Sequence, residues 1–214
     1  MFQRLPHESV RVLAAGKPLE QARVAMCMVH GRGASAADII TIATALRRPE
    51  VAYLAPEAEG NAWYPYGFMA PIEQNQPWLD DALGVVDGVV GRILGAGVDG
   101  GRLLLLGFSQ GACLTLEYAA RHPGRYGGVA ALSGGLIGPP GASLDHGGSF
   151  AGTPIYMGCS DVDPHIPKER VLDSAAALKR QGAEVEVRLY PGLGHEVNED
   201  ELEKVRRLID DLPQ

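Results

Sequence analysis

A Gly-x-Ser-x-Gly turn constrains the fold of this chain more than any other feature of its sequence. The turn, Gly-Phe-Ser-Gln-Gly at 107–111, follows an apolar run at 102–106 whose four leucines are typical of a strand buried on both faces. A helix-forming stretch at 112–122 comes next and is followed by proline and glycine. Glycines are needed in such a sharp turn because a Cβ would clash with the strand or the helix. The pattern predicts a nucleophile elbow that holds Ser109 Oγ above a sheet.

Two further strand ends supply the groups that a serine nucleophile needs. Asp161 and Asp163 follow an apolar run at 154–157, and His195 follows an alternating segment at 185–190. The carboxyl ends of the strands share one edge in an open α/β sheet, so we expect these side chains to meet Ser109 there. Either aspartate could orient the histidine. Pro164 restricts the backbone of Asp163, which favours Asp163 over Asp161.

Five motifs together resemble the phospholipase/carboxylesterase group of α/β-hydrolases, which includes acyl-protein thioesterases and small bacterial carboxylesterases. The motifs are Val29-His30-Gly31-Arg32-Gly33, Gly-Phe-Ser-Gln-Gly at 107–111, Ala-Leu-Ser-Gly-Gly at 131–135, Asp163-Pro164-His165-Ile166-Pro167 and Gly194-His195-Glu196. The similarity extends from about residue 24 to about residue 212. It implies an α/β-hydrolase fold, with a mostly parallel twisted sheet, helices on both faces and no large lid, in a single domain over 1–214. It also implies that Ser109 is the nucleophile, Asp163 the acid and His195 the base.

Two backbone N–H groups are needed to stabilise the negative charge that develops during ester hydrolysis. The N–H of Gln110 is one candidate, because it lies at a helix N-terminus where negative charge is favoured. The resemblance implies the N–H of Arg32 as the second. Arginine departs from the thioesterase branch, in which this position is usually apolar; its side chain is either solvated or reaches an anionic part of a substrate. His30 is interpreted as a structural hydrogen-bonding residue.

The substrate pocket is predicted from an aromatic loop at the edge of the sheet that carries Ser109. Residues 62–68 contain four aromatic side chains after a strand at 51–54. Aromatic residues on such a loop either cover the core or line a pocket. We predict that Trp63, Tyr66 and Phe68 contact the substrate and that Leu136 and Ile137 complete the wall.

These motifs predict a serine carboxylic-ester hydrolase that acts through an acyl-enzyme on short- to medium-chain soluble esters. An acyl-protein thioesterase or a lysophospholipase with the same triad is the alternative, and a non-catalytic α/β-hydrolase scaffold is disfavoured by the intact triad. The histidines lack zinc-site spacing and no dinucleotide or P-loop motif is present, so neither metal nor cofactor is expected.

Composition and charge limit the classes of binding partner and the cellular location that we expect for this protein. A net charge of −7 and a pI near 5.3 speak against nucleic acid as a partner. No apolar run approaches the length of a membrane span, and residues 1–8 lack the apolar segment of a secretion signal, so stable membrane insertion is not expected. Three cysteines, an odd number, favour reduced thiols and a cytoplasmic location. A homodimer is left open.

Apolar periodicity and capping residues predict alternating strands and helices, the pattern of βαβ units. Ser35 and Asp38 predict the start of a helix that ends near Leu46, and Asn198 and Glu201 predict the start of the last helix. The other predicted helices span 78–94 and 167–181, and the predicted strands are 24–29, 51–54, 102–106, 127–132, 154–157 and 185–190.

Overall fold

The computed structural model describes residues 10–212, and strands and helices alternate along most of this range. The strands are β1 (Val12–Gly16), β2 (Ala25–Val29), β3 (Ala52–Pro56), β4 (Leu103–Phe108), β5 (Gly128–Leu132), β6 (Pro154–Ser160) and β7 (Glu184–Tyr190). The helices are α1 (Ala36–Leu46), α2 (Ile72–Asn75), α3 (Trp78–Gly95), α4 (Gln110–Arg121), α5 (Lys168–Arg180) and α6 (Glu199–Asp210). The prediction for residues 1–8 lies outside the described residues.

The seven strands form one sheet in the order β1-β3-β2-β4-β5-β6-β7. Every neighbouring pair is parallel except β1 and β3, which are antiparallel. Helices α3, α4 and α5 pack their apolar residues on one face of the sheet, and α1 and α6 pack theirs on the other. The predicted α/β-hydrolase fold is confirmed.

The leucine run of β4 explains how the sheet is buried on both sides. Successive side chains of a strand point to opposite faces. Leu103 and Leu105 therefore join the core beneath α3, α4 and α5, whereas Leu104 and Leu106 join the core beneath α1 and α6. Because both faces are covered by helices, β4 is apolar throughout and places the turn that follows it at the carboxyl edge of the sheet.

Capping residues fix the starts of the first and last helices where the sequence predicts them. In α1, Ser35 Oγ accepts the N–H of Asp38 at 3.3 Å, and Asp38 Oδ2 accepts the N–H of Ser35 at 2.8 Å. Asn198 and Glu201 form the same reciprocal pair at α6. These bonds satisfy backbone donors that a helix N-terminus would otherwise leave unpaired.

Two features of the structure concern membrane insertion and the state of the thiols: the hydropathy of the helices and the environment of the cysteines. None of the helices within 10–212 is both long and apolar enough to cross a membrane. All three cysteines are free and buried. Burial raises the pKa of the Cys27 thiol to about 12, so this side chain behaves as a small apolar core residue.

Candidate active site

The turn between β4 and α4 holds Ser109 in a conformation that few residues adopt. Its φ is 56° and its ψ is −122°, and a positive φ is uncommon for a residue with a side chain. The flanking glycines make this turn fit: a Cβ on Gly107 would lie 2.3 Å from the carbonyl oxygen of Gly111, and one on Gly111 would lie 2.1 Å from that of Val29. The structure thus contains the strand–turn–helix that the sequence predicts.

Ser109, His195 and Asp163 form a continuous hydrogen-bonded chain at the carboxyl edge of the sheet. His195 Nε2 lies 2.8 Å from Ser109 Oγ, and His195 Nδ1 lies 2.7 Å from Asp163 Oδ2. With Nδ1–H donating to the carboxylate, Nε2 is free to accept the proton of the serine hydroxyl. This arrangement can generate a serine nucleophile beside a general base.

Backbone groups hold the Asp163 carboxylate in place. Its Oδ1 accepts the N–H groups of His165 at 2.8 Å and Ile166 at 3.0 Å. Burial by itself would raise the pKa of Asp163, but the hydrogen bonds from His195 and from these two amides lower it below its ordinary value. Asp163 is therefore a carboxylate at neutral pH and favours a positive charge on the neighbouring imidazole.

Asp161, the competing aspartate, has a different role in the structure. Its Oδ1 accepts the N–H of Gly192 at 2.8 Å, which ties the loop after β6 to the loop that carries His195. Of the two aspartates, the structure brings Asp163 and not Asp161 to the histidine.

The His195 ring lies between two other rings. Phe108 is tilted against it at a centroid distance of 5.1 Å, and His165 approaches edge-on at 4.8 Å. Because both neighbours come from loops or strand ends of the same sheet edge, the ring is confined on two sides while its Nε2 reaches Ser109. Neither neighbour was predicted to contact the histidine, although Phe108 and His165 both belong to motifs quoted above.

The loop after β2 lies against the serine turn. A Cβ on Gly31 would lie 3.2 Å from the Cβ of Ser109, so the backbone passes close to this serine. Among the described residues, the backbone N–H groups of Arg32 and Gln110 have no hydrogen-bond acceptor. Two such free N–H groups beside a serine suit an oxyanion hole.

His30 anchors that loop from below. It is fully buried, its Nε2 accepts the N–H of Ala58 at 3.0 Å, and its Nδ1 donates to the carbonyl oxygen of Gly31 at 2.8 Å. Since both ring nitrogens bond to the backbone, His30 is a structural residue, as its sequence context suggested.

A cleft of about 420 Å³ opens at Ser109 and lies within the size range of small-molecule sites. Its walls come from loops at strand ends and from the start of α4, and no aspartate or glutamate lines it. Tyr66 and Phe68, two of the residues predicted to contact the substrate, line the cleft. The lining residues are Arg32, Tyr64, Tyr66, Gly67, Phe68, Ser109, Gln110, Cys113, His165, Ile166 and His195.

Three predicted pocket residues lie in the core and do not line the cleft. Trp63 is 0% exposed, and its indole N–H is satisfied by donating to the carbonyl oxygen of His30 at 2.8 Å. Leu136 and Ile137 are also buried, and their backbone N–H groups bond to side chains of α5 and α4. Of the two roles that an aromatic loop can have, Trp63 covers the core. The prediction of a wall at 136–137 needs correction, because these residues pack inward.

Other reactive groups near the cleft do not compete with Ser109. Burial raises the pKa of the Cys113 thiol to about 12, so the reactive thiolate is scarce at neutral pH. Within 10–212, no cluster of three or more histidine, cysteine, aspartate or glutamate side chains could hold a metal ion.

Comparison with known sequences gives one family. Residues 10–212 match the family model described as Phospholipase/Carboxylesterase. Acyl-protein thioesterase 1 of Saccharomyces cerevisiae is 31% identical over 133 residues, which cover 60% of this chain and 58% of the yeast protein, so the alignment spans little more than half of that relative. Carboxylesterase SOBER1 of Arabidopsis thaliana is 25% identical over 88% of this chain and 90% of its own.

Comparison with solved structures agrees. The crystal structure of a phospholipase/carboxylesterase from Dyadobacter fermentans matches with a TM-score of 0.90 at 43% identity, over 95% of this chain and 97% of that one. The sequence motifs, the sheet and these matches lead to the same assignment: the chain belongs to the phospholipase/carboxylesterase family of α/β-hydrolases.

Proposed function

We propose that this protein is a serine carboxylic-ester hydrolase that forms an acyl-enzyme on Ser109. The observation that carries the proposal is the hydrogen-bonded chain from Ser109 through His195 to Asp163, with distances of 2.8 and 2.7 Å. A chain of this kind activates a hydroxyl that is otherwise a weak nucleophile.

In the first half of the proposed reaction, Ser109 Oγ attacks the carbonyl carbon of the ester while His195 Nε2 takes the hydroxyl proton. The carbonyl oxygen becomes an oxyanion and accepts the N–H groups of Arg32 and Gln110. When the tetrahedral intermediate collapses, the bond to the alcohol breaks and His195 gives its proton to the leaving oxygen. In the second half, water replaces the alcohol and the same groups release the acid.

Asp163 keeps the histidine in the productive tautomer and stabilises its charged form. The lowered pKa of Asp163 keeps this group ionised when the imidazole takes up the serine proton. A protonated or amide side chain at 163 would lose this charge interaction.

The cleft supports soluble esters with short to medium acyl chains. Tyr66 is 55% exposed at its rim, and Phe68 and Ile166 supply apolar surface deeper in. Each buried methylene contributes about 0.8 kcal/mol, but only while the wall of the cleft still covers it.

An acyl-protein thioesterase is the second candidate function, because a relative that is 31% identical over 60% of this chain carries that name.

We further propose that the enzyme acts in the cytoplasm, where its free cysteines stay reduced.

A chain-length series of p-nitrophenyl esters, run beside an acyl-CoA and a lysophospholipid, tests the proposed substrate class. We expect kcat/KM to rise over the first few carbons and then to level off or fall. The Tyr66→Ala variant should lose kcat/KM mainly for the longer members, since Tyr66 lies at the rim.

Ser109→Ala serves as the inactive control in the same series. A higher kcat/KM for the thioester or for a sixteen-carbon chain would favour the thioesterase or lysophospholipase alternative. Absence of hydrolysis of every substrate would contradict the enzymatic proposal itself.

A further inference from the structure

The side chain of Arg32 holds the backbone of the aromatic loop. Its Nη1 donates to the carbonyl oxygen of Pro65 at 3.0 Å, and its Nη2 donates to those of Tyr64 and Tyr66, both at 2.7 Å. The guanidinium therefore binds three successive carbonyl groups. A planar group with several fixed donors can do this, whereas a lysine ammonium presents a single charged centre.

The side chain of Gln110 holds the same segment from the other side. Its Oε1 accepts the N–H of Trp63 at 3.0 Å, and its Nε2 donates to the carbonyl oxygen of Tyr64 at 2.8 Å. The Tyr64 carbonyl thus accepts hydrogen bonds from both Arg32 and Gln110. Residues 63–66, which we call the wall segment, are held by five hydrogen bonds from these two side chains.

The wall segment also forms part of the cleft. Tyr64 and Tyr66 are among its lining residues, and the indole of Trp63 is bonded to the carbonyl oxygen of His30 at the start of the loop that carries Arg32. One hydrogen-bonded unit therefore joins the surface that an acyl chain would contact to the two amides proposed for the oxyanion hole.

The charge of Arg32 makes this unit stronger than one built from neutral groups. No carboxylate of the described residues forms an ion pair with its guanidinium, so the three carbonyl groups are the hydrogen-bond partners of this cation within 10–212. Hydrogen bonds from a charged donor are shorter and roughly twice as strong as neutral ones. The two distances of 2.7 Å are in this short range.

Resting on the proposed function, we propose that the Arg32 and Gln110 side chains are positioning groups: they fix the oxyanion-hole amides of their own residues by binding both to the wall segment. An oxyanion hole requires donors about 2.7–3.1 Å from the developing charge. A misplacement of about 1 Å can lower the rate about 10²-fold. Arg32 would then serve the transition state through its amide and hold that amide in place through its side chain.

Arg32→Ala tests this proposal because it removes the side chain and keeps both amides. We expect kcat for a p-nitrophenyl ester of medium chain length to fall about 10-fold to 100-fold, with KM changing much less. Arg32→Lys keeps the charge but not the fork of donors, so its kcat should lie between those of Arg32→Ala and the unmodified enzyme. Arg180→Ala, which removes an exposed arginine at the end of α5, is the matched control and should leave kcat unchanged.

A thionoester of the same acid gives a readout specific to the oxyanion hole. Its sulfur accepts hydrogen bonds poorly, so it gains little from the two amides in any variant. The ratio of kcat for the ester to kcat for the thionoester should therefore fall in Arg32→Ala along with kcat for the ester, and recover partly in Arg32→Lys. A purely structural loss of active protein would lower both rates and leave the ratio unchanged.

An unchanged kcat and ratio in Arg32→Ala, or a loss confined to KM, would overturn the positioning role. Should Arg32→Ala fail to fold, the ratio in Arg32→Lys decides the matter: a ratio equal to that of the unmodified enzyme contradicts the proposal. Lack of ester hydrolysis by the unmodified protein would instead contradict the proposed function, so the two failures are distinct.

Discussion

Two aspartates separated by one residue show how the site discriminates between like side chains. Asp163 bonds to His195 and to two backbone amides, whereas Asp161 bonds to the N–H of Gly192. The first arrangement sets the tautomer and charge of the imidazole, and the second ties two loops together.

Asp163→Asn should lower kcat on the order of 10⁴-fold and leave the fold intact, because a neutral amide can stabilise the wrong histidine tautomer. Asp161→Asn should cost far less, since the amide oxygen can still accept from Gly192. Steady-state kinetics on one p-nitrophenyl ester compares the two, and thermal melting checks that both variants fold. A greater loss of kcat in Asp161→Asn would show that the acid is assigned two residues too late.

The candidate catalytic residues could be predicted from sequence because the proposed reaction limits their type and order. Ser109, His195 and Asp163 were identified in this way, and the structure brings them within hydrogen-bond distance. Trp63 could not be assigned to the right environment. Whether an aromatic side chain on a loop packs inward depends on tertiary neighbours that are distant in sequence. For Trp63 these are the core cluster and, for its indole N–H, the carbonyl oxygen of His30, which is 33 residues away in the chain.

At the scale of secondary-structure elements, apolar periodicity and helix-capping residues predicted most strands and helices close to their observed bounds. Strand β1 and helix α2 were not predicted. Strand β1 is an edge strand with small, partly exposed residues, so it lacks the continuous apolar run of the central strands. Helix α2 has four residues, too few to show a helical period. Both elements depend on tertiary contacts.

The start of α6 contains a buried carboxyl that does not take part in the proposed reaction. Glu201 is fully buried; its Oε2 accepts the N–H of Asn198 at 2.9 Å, and its Oε1 has no hydrogen-bond partner among the described residues. Burial raises the pKa of Glu201 to about 7, against the opposing effect of the Asn198 amide.

This raised pKa predicts a pH-dependent contribution to stability. The unfolded carboxyl titrates near its ordinary pKa of about 4.3, so between that pH and about 7 the folded state binds the proton more tightly. The stabilising contribution of Glu201 is therefore complete at low pH and is lost as the pH rises through about 7. Glu201→Gln, which keeps the cap, should be more stable than the unmodified protein at pH values above 7.

Thermal melting from about pH 5 to pH 8.5 measures the effect as the difference in Tm between Glu201→Gln and the unmodified protein, which should grow as the pH rises to about 7 and then level off. Glu203→Gln is the control, because Glu203 lies in the same helix but is only half-buried and is paired with Arg206 and Arg207 at the surface. A difference in Tm that stays constant over this range would contradict the raised pKa.

At the scale of the whole molecule, the fold gathers groups from distant parts of the chain at one edge of one sheet. Ser109 follows β4, Asp163 follows β6 and His195 follows β7, and the parallel direction of these strands places all three at their carboxyl ends. The sequence order and the parallel topology were enough to predict this convergence. The shape of the cleft was not predictable, because it depends on how the loops pack on one another.

Covalent labelling of the folded protein tests whether Ser109 is the activated nucleophile. A fluorophosphonate loses fluoride when an activated serine oxygen attacks its phosphorus, and peptide mass spectrometry locates the added phosphonyl group. We expect a single label on Ser109. Labelling should be slower in the presence of a competing ester and nearly absent in His195→Ala. A label on another residue, or labelling of Ser109 at an equal rate without His195, would contradict this assignment.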